Sequence, residues 1–152
     1  MQPRMIHPAM SLPGAFEALQ ALAKAGSQGG LPQPTILLIT LRASQINGCS
    51  FCAEMHSREA REAGETEERI ATVAAWRDAP YFSEAERAAL ALTEAVTRLC
   101  DRPDPVPDSV FAESARHYDE PALAALLLNI ALINVWNRLN VATRQLAGQW
   151  PS

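Results

Sequence analysis

The stretch LRASQINGCSFCAEMHSREAREAG, Leu41 to Gly64, decides how the chain is read. An apolar segment ends in Asn47 and Gly48, a pair that stops a helix, and a segment rich in Ala, Glu and Arg starts again at Cys49 or Ser50 and runs to Gly64. Two helices therefore meet at a turn that carries a cysteine. Once the second is helical, Cys49 and Cys52 stand at i and i+3, Cys52 and His56 at i and i+4, and all three share one face.

The same punctuation recurs in both directions. Upstream, Phe16, Leu19 and Leu22 recur at three-residue spacing and GSQGG closes that helix, while Pro32 and Pro34 open the one that Asn47 and Gly48 close. Downstream, Thr66 is an N-cap for TEERIATVAAW, which Asp78 and Pro80 break, and Ser83 with Glu86 is a capping box ahead of AERAALALTEAVTRL. DRPDPVPD is a stiff connector, followed by a short helix from Ser109 to about His117 and a long one from Pro121 with Asp119 as its cap. No strand-like alternation of any length appears. The expectation is an all-α, compact multi-helix bundle.

The last helix, with ALAALLLNIALINVW, is apolar nearly all round. Asn129 and Asn134 interrupt it and NRLNVATRQ follows, so a helix buried on every side is expected, not a membrane span. One subunit of this size offers few places to bury such a helix, which points to a homo-oligomer. The chain of 152 residues is read as a single domain, 1–152, with its core from about residue 32 to 150. At 48% hydrophobic and 20% charged it has the composition of a globular chain, and a net charge of −4 with no basic run argues against nucleic acid as a partner. The opening residues show no export signal, so three cysteines suggest a reducing compartment, the cytoplasm.

A cysteine at a helix start meets unpaired N–H groups and the positive end of the helix dipole, both of which favour the thiolate. His56, one turn beyond Cys52, can take its proton. Zinc is the competing use of Cys49, Cys52 and His56, but a structural site takes four ligands and only Cys100, His7 and His117 remain, none of them paired. Covalent haem needs His directly after the second cysteine, where Ala53 stands. A purely structural pair of small buried thiols also remains. Two cysteines with a base on one face favour the redox reading over both.

LRASQINGCSFCAEMHSREAREAGETEERI resembles the AhpD-like alkylhydroperoxidase branch of the carboxymuconolactone decarboxylase family, and the likeness continues through AAWRDAPYFSEAERAALALTEAVT to INVWNRLNVATR. The first thirty residues match weakly. The resemblance implies an all-helical subunit assembling into trimers or hexamers. It also implies a thiol-dependent peroxidase with no cofactor, acting on an alkyl or organic hydroperoxide and reset by an external dithiol or lipoyl-type reductant. Carried over position by position, Cys52 is the cysteine that attacks the peroxide, Cys49 the resolving cysteine and His56 the relay histidine.

At one place the chain departs from the pattern. Where the family's peroxidases carry a relay glutamate, twelve residues before the first cysteine, this chain has Leu37. Glu54, at i+2 from Cys52, points off the reactive face, which leaves Glu94 as the candidate stand-in, against the simpler view of it as a solvated or salt-bridged carboxylate. Ser44, Gln45, Asn47, Asn134, Asn137 and Arg138 read as structural polarity, Trp76, Trp136 and Trp150 as packing anchors, and Cys100 as a passive thiol. Two alternatives stand beside the peroxidase. One is decarboxylase-type chemistry, against which the intact CxxC argues; the other is a redox-sensing oligomer that lost turnover along with the glutamate.

Overall fold

The computed structural model describes residues 2–101 and 103–148, so Trp150 lies outside the described residues. Regular structure among them is entirely helical: α1 (Pro8–Ser11), α2 (Ala15–Gly26), α3 (Gln33–Ile46), α4 (Ser50–Glu62), α5 (Glu67–Thr72) continued by a 3₁₀ turn, α6 (Glu84–Thr97), α7 (Asp108–His117) and α8 (Glu120–Thr143). The caps expected from the sequence are present. The Thr66 hydroxyl accepts from Arg69 N–H, Ser83 and Glu86 form a reciprocal capping box, and the Asp119 carboxylate accepts from Ala122 N–H. The single turn α1 is the addition: Pro8 stands at its start and the His7 ring accepts from Ala9 N–H, a cap no helix propensity announces.

Helix α3 is the hub, packed against α4, α6 and α8. One side of it places Ile39 among Leu92, Leu126 and Ile130, and another places Leu37, Leu38 and Leu41 among Ala60, Ile70, Val73, Trp76 and Leu90. With both flanks buried, α3 has an apolar middle, Ile36 to Ile39, and Arg42, Ser44 and Gln45 lie towards the end where the cysteines follow. Gly29 lets the chain cross close over the start of α8, since a Cβ there would lie 2.3 Å from Pro121 O.

Within one subunit, helix α8 is buried on part of its surface only. It is long and apolar enough to cross a membrane by length and composition, yet half of that stretch is buried within the subunit. Its remaining face, with Ala124, Leu128, Ala131 and Val135 at helical spacing, is exposed. The segment preceding α2 is tied to the far end of the same helix by Arg4, whose N–H donates to Thr143 O and whose guanidinium donates to Ala142 O, both at 2.9 Å.

Candidate redox-active site

The corner between α3 and α4 is built from backbone geometry. Gly48 takes φ +66°, its N–H bonds to Gln45 O, and Cys49 N–H reaches back to Ser44 O at 3.0 Å, the double closure that ends a helix on a left-handed residue. Cys49 is thereby the last anchored residue of α3 and also the N-cap of α4, its sulfur accepting from Cys52 N–H at 3.2 Å. The two sulfurs stand at disulfide distance, 2.28 Å, with Cα atoms 5.3 Å apart. Cys52 has no exposed surface and Cys49 almost none.

A row of asparagines on α8 holds this corner. Asn134, Asn137 and Asn140 follow at three-residue spacing and are all buried. Asn47 donates to the side-chain oxygens of Asn134 and Asn137 at 3.0 and 2.9 Å, Asn137 donates to the Ser44 hydroxyl, and Asn140 donates to the Cys52 sulfur at 3.2 Å. Buried amides are costly unless paired, and here Asn134 and Asn137 pair with the end of α3 and Asn140 with α4. Asn140 is the member with chemical consequence, because an N–H aimed at sulfur stabilises a thiolate.

His56 is 8% exposed, and its Nδ1 lies 2.7 Å from Glu59 Oε2, one turn along α4. An ionised carboxylate only accepts, so Nδ1 carries the proton and Nε2 of the neutral ring is left with a free lone pair. Nε2 is buried and has no hydrogen-bond partner among the described residues. A cavity of about 520 Å³ opens beside it, lined among others by Phe51, Met55, His56 and Glu59 of α4, by Leu132, Trp136 and Asn140 of α8, and by His7, Met10 and Phe16 from the N-terminal segment. His7 lies over Trp136 with ring centroids 5.5 Å apart, and Phe16 meets the same indole edge-on.

Both alternative acids are occupied elsewhere. Burial alone would raise the Glu94 carboxyl, but hydrogen bonds from Arg77, Trp76 and Arg42 overcome it and hold the group below the usual carboxylate range. Its oxygens meet Arg42 at 2.6 Å, Arg77 at 2.7 Å and Trp76 Nε1 at 3.0 Å, so Glu94 is a structural anchor and the idea of it as the stand-in is corrected. Glu54 accepts from the Gly148 backbone N–H. Leu37 sits in the apolar cluster with Ala60, Ile70 and Val73, and a carboxylate there would be buried among aliphatic side chains. The acid that does reach His56 is Glu59, which sequence reasoning missed although i, i+3 spacing from His56 puts it on the same face. Asn140 was missed as well; the signal was the threefold asparagine spacing in an otherwise apolar helix.

The fold and the corner define an all-helical protein with a CxxC thiol–disulfide pair at a helix start. The sequence profile of the Carboxymuconolactone decarboxylase family matches residues 13–95, and the chain belongs to that family, in its AhpD-like branch. It is 38% identical over 130 residues to the uncharacterized protein YdfG of Bacillus subtilis, covering 86% of this chain and 87% of that one. It is 34% identical to the uncharacterized protein YnjA of Escherichia coli over 105 residues, 69% of this chain and 56% of that one. Among solved structures, a protein of unknown function from Agrobacterium tumefaciens, described as a candidate AhpD antioxidant defence protein, superposes with a TM-score of 0.89 at 36% identity over 98% of this chain and 100% of that one. The debrominase Bmp8 superposes with a TM-score of 0.78 at 26% identity, over 89% and 72% respectively, and a cysteine-to-alanine variant of it has been solved in complex with 2,3,4-tribromopyrrole.

Proposed function

We propose that the chain is a thiol-dependent reductase of organic hydroperoxides, with Cys52 as nucleophile, Cys49 as resolving thiol, His56 as proton relay and Glu59 as the residue that positions His56. The observation that carries this reading is the Cys49–Cys52 pair at disulfide distance on the same helix as the His56–Glu59 pair, beneath an apolar cavity. His56 Nε2 takes the Cys52 thiol proton, the thiolate attacks one peroxide oxygen, the O–O bond breaks, and the alcohol leaves with that proton. Cys49 then displaces hydroxide from the Cys52 sulfenic acid, giving the disulfide and water. A dithiol returns both cysteines to thiols, so the sum is hydroperoxide plus dithiol to alcohol, water and cyclic disulfide. Such a cycle needs a reducing compartment, which the cytoplasm supplies.

The test follows cumene hydroperoxide consumption by the reduced protein with dihydrolipoamide as the dithiol. Turnover accompanied by a Cys49–Cys52 disulfide in the oxidised protein supports the reading; no turnover and no disulfide sinks it. Glu59→Gln is expected to lower kcat/KM by roughly 10- to 100-fold, because an amide can donate to Nδ1 as well as accept from it and so no longer fixes the tautomer or supplies a negative charge. Glu59 is 43% exposed, so the variant's melting curve should overlay the parent's. Parent-like kinetics would remove Glu59 from the relay.

A second reading, reductive removal of halogen from a flat aromatic, is favoured by the aromatic lining of the cavity and the likeness to the debrominase. The two cysteines would supply two electrons, the ring carbon would gain a proton and bromide would leave. Bromide release from a bromopyrrole in the same assay distinguishes the two.

Leu128 and Val135 are exposed on α8, and Met5, Ile6, Met10 and Leu12 are exposed in the N-terminal segment. We propose that further copies of the chain cover them in a homo-oligomer, a trimer or a hexamer. Light scattering should return a multiple of the 16.5 kDa subunit. A monomer that persists at working concentrations would end the proposal.

A further inference from the structure

We propose that a second, smaller cleft beside Cys49 receives the reductant, and that it suits a small thiol bearing a carboxylate, held by Arg144. This rests on the thiol-reductase reading. The cleft, about 140 Å³, is lined by Gly48, Cys49, Ser50, Val141, Arg144 and Leu146, and shares only Asn140 and Gln145 with the large cavity over His56. Cys52 lines neither void and is fully buried, so Cys49 is the sulfur that an incoming thiolate meets. The reductant is thus given a void of its own, distinct from the one over His56.

Arg144 gives the cleft its chemistry. It ends α8 with φ 56°, the one non-glycine residue with positive φ among those described. Arg144 N–H bonds to Val141 O and Gln145 N–H to Asn140 O, the same double closure that Gly48 makes for α3, here without a glycine. A cation near a helix C-terminus is favourable at any position of the last turn, so the dipole does not account for an arginine at the one position that disfavours a side chain. Strained positions of this kind concentrate at functional sites. No carboxylate pairs with Arg144 among the described residues. Among the described residues its guanidinium is thus an unclaimed cation lining the same cleft as Cys49, a void with room for the thiol end of a reductant.

The step balances. The reductant thiolate attacks Cys49 Sγ, the Cys49–Cys52 bond breaks, and its electron pair leaves on Cys52, where the Asn140 N–H receives the charge. A second thiolate attacks the reductant's own sulfur in the mixed disulfide and releases Cys49. Two thiols become one disulfide, and their protons end on Cys49 and Cys52.

The experiment uses the oxidised full chain without peroxide. It is reduced by 3-mercaptopropionate or by 2-mercaptoethanol at equal thiolate concentration, with acid quench and peptide mass spectrometry. The expected results are a mercaptopropionate adduct on Cys49 and a rate ratio favouring mercaptopropionate by about fivefold, the size of one partly exposed charge pair. That ratio should fall towards one in Arg144→Gln and in Arg144→Gly, the second of which suits the left-handed backbone and so folds. An adduct on Cys52, or a rate ratio that is the same in the parent and both variants, overturns the proposal. Because no peroxide is present, that outcome leaves the hydroperoxide assay to stand or fall by itself.

Discussion

Cys52→Ser is expected to abolish hydroperoxide consumption, with a loss on the order of 10⁴-fold or more in kcat, since a serine hydroxyl at this position has neither the acidity nor the nucleophilicity of a thiol. The fold should survive the change. Cys52 is buried with one polar contact, the Asn140 N–H, and a serine oxygen accepts the same hydrogen bond in nearly the same volume. Unchanged circular dichroism beside lost activity is the expected pair of results. The companion variant separates the two sulfurs. Cys49→Ser retains the N-cap, because serine is among the preferred residues there and its oxygen can accept Cys52 N–H, but it removes the resolving thiol. One equivalent of hydroperoxide should then be consumed and a sulfenic acid captured on Cys52 by dimedone. Normal multiple turnover by Cys49→Ser would assign resolution to another group.

The second large effect lies outside the redox corner. Glu94→Ala is expected to destabilise the protein by about 3–5 kcal/mol, because it leaves Arg42, whose side chain is only 12% exposed, as an uncompensated buried charge. The bond to Arg77 contributes little to this figure, since that side chain is 60% exposed. Burial raises the Glu94 carboxyl and the hydrogen bonds from Arg77, Trp76 and Arg42 more than reverse it, so the folded group titrates below its unfolded value. A depressed carboxyl contributes stability that is fully present above the unfolded value and is lost as pH falls through the folded one. Urea melts of parent and variant should therefore differ most at neutral pH and converge down the acid limb. A variant whose deficit is constant across that limb would show that Glu94 acts through packing and not through its charge.

Much of the fold was legible because its signals are local. Thr66, Ser83 with Glu86, and Asp119 cap the helices they were expected to cap, and Asn47 with Gly48 ends α3 where the pattern said it would. The spacing of Cys49, Cys52 and His56 likewise needs only one helix to be interpreted. What escaped depends on contacts between distant segments. Glu94 sits among apolar neighbours in sequence and looks like a poised acid, but Arg42 and Arg77 arrive from other parts of the chain to neutralise it. Asn140 lies 88 residues from the sulfur it touches, and the asparagine spacing around it marks a polar stripe without saying which group that stripe meets. Leu37 looked like a gap in a relay; in three dimensions it is simply one of the side chains that fill the space between α3, α4 and the α5 region.

The cavity over His56 takes part of its wall from His7 and Met10, which precede the stretch matched by the family profile, and from Phe16 near its beginning. On the proposed function, residues outside the cysteine corner thus share the wall that a substrate would meet. The cysteine corner can stay fixed while the leading segment is rewritten, and two relatives with identical CxxC motifs can diverge in diet without touching a catalytic atom. For a family that extends from antioxidant candidates to a debrominase, the leading segment is the first place to compare when asking what a given member consumes.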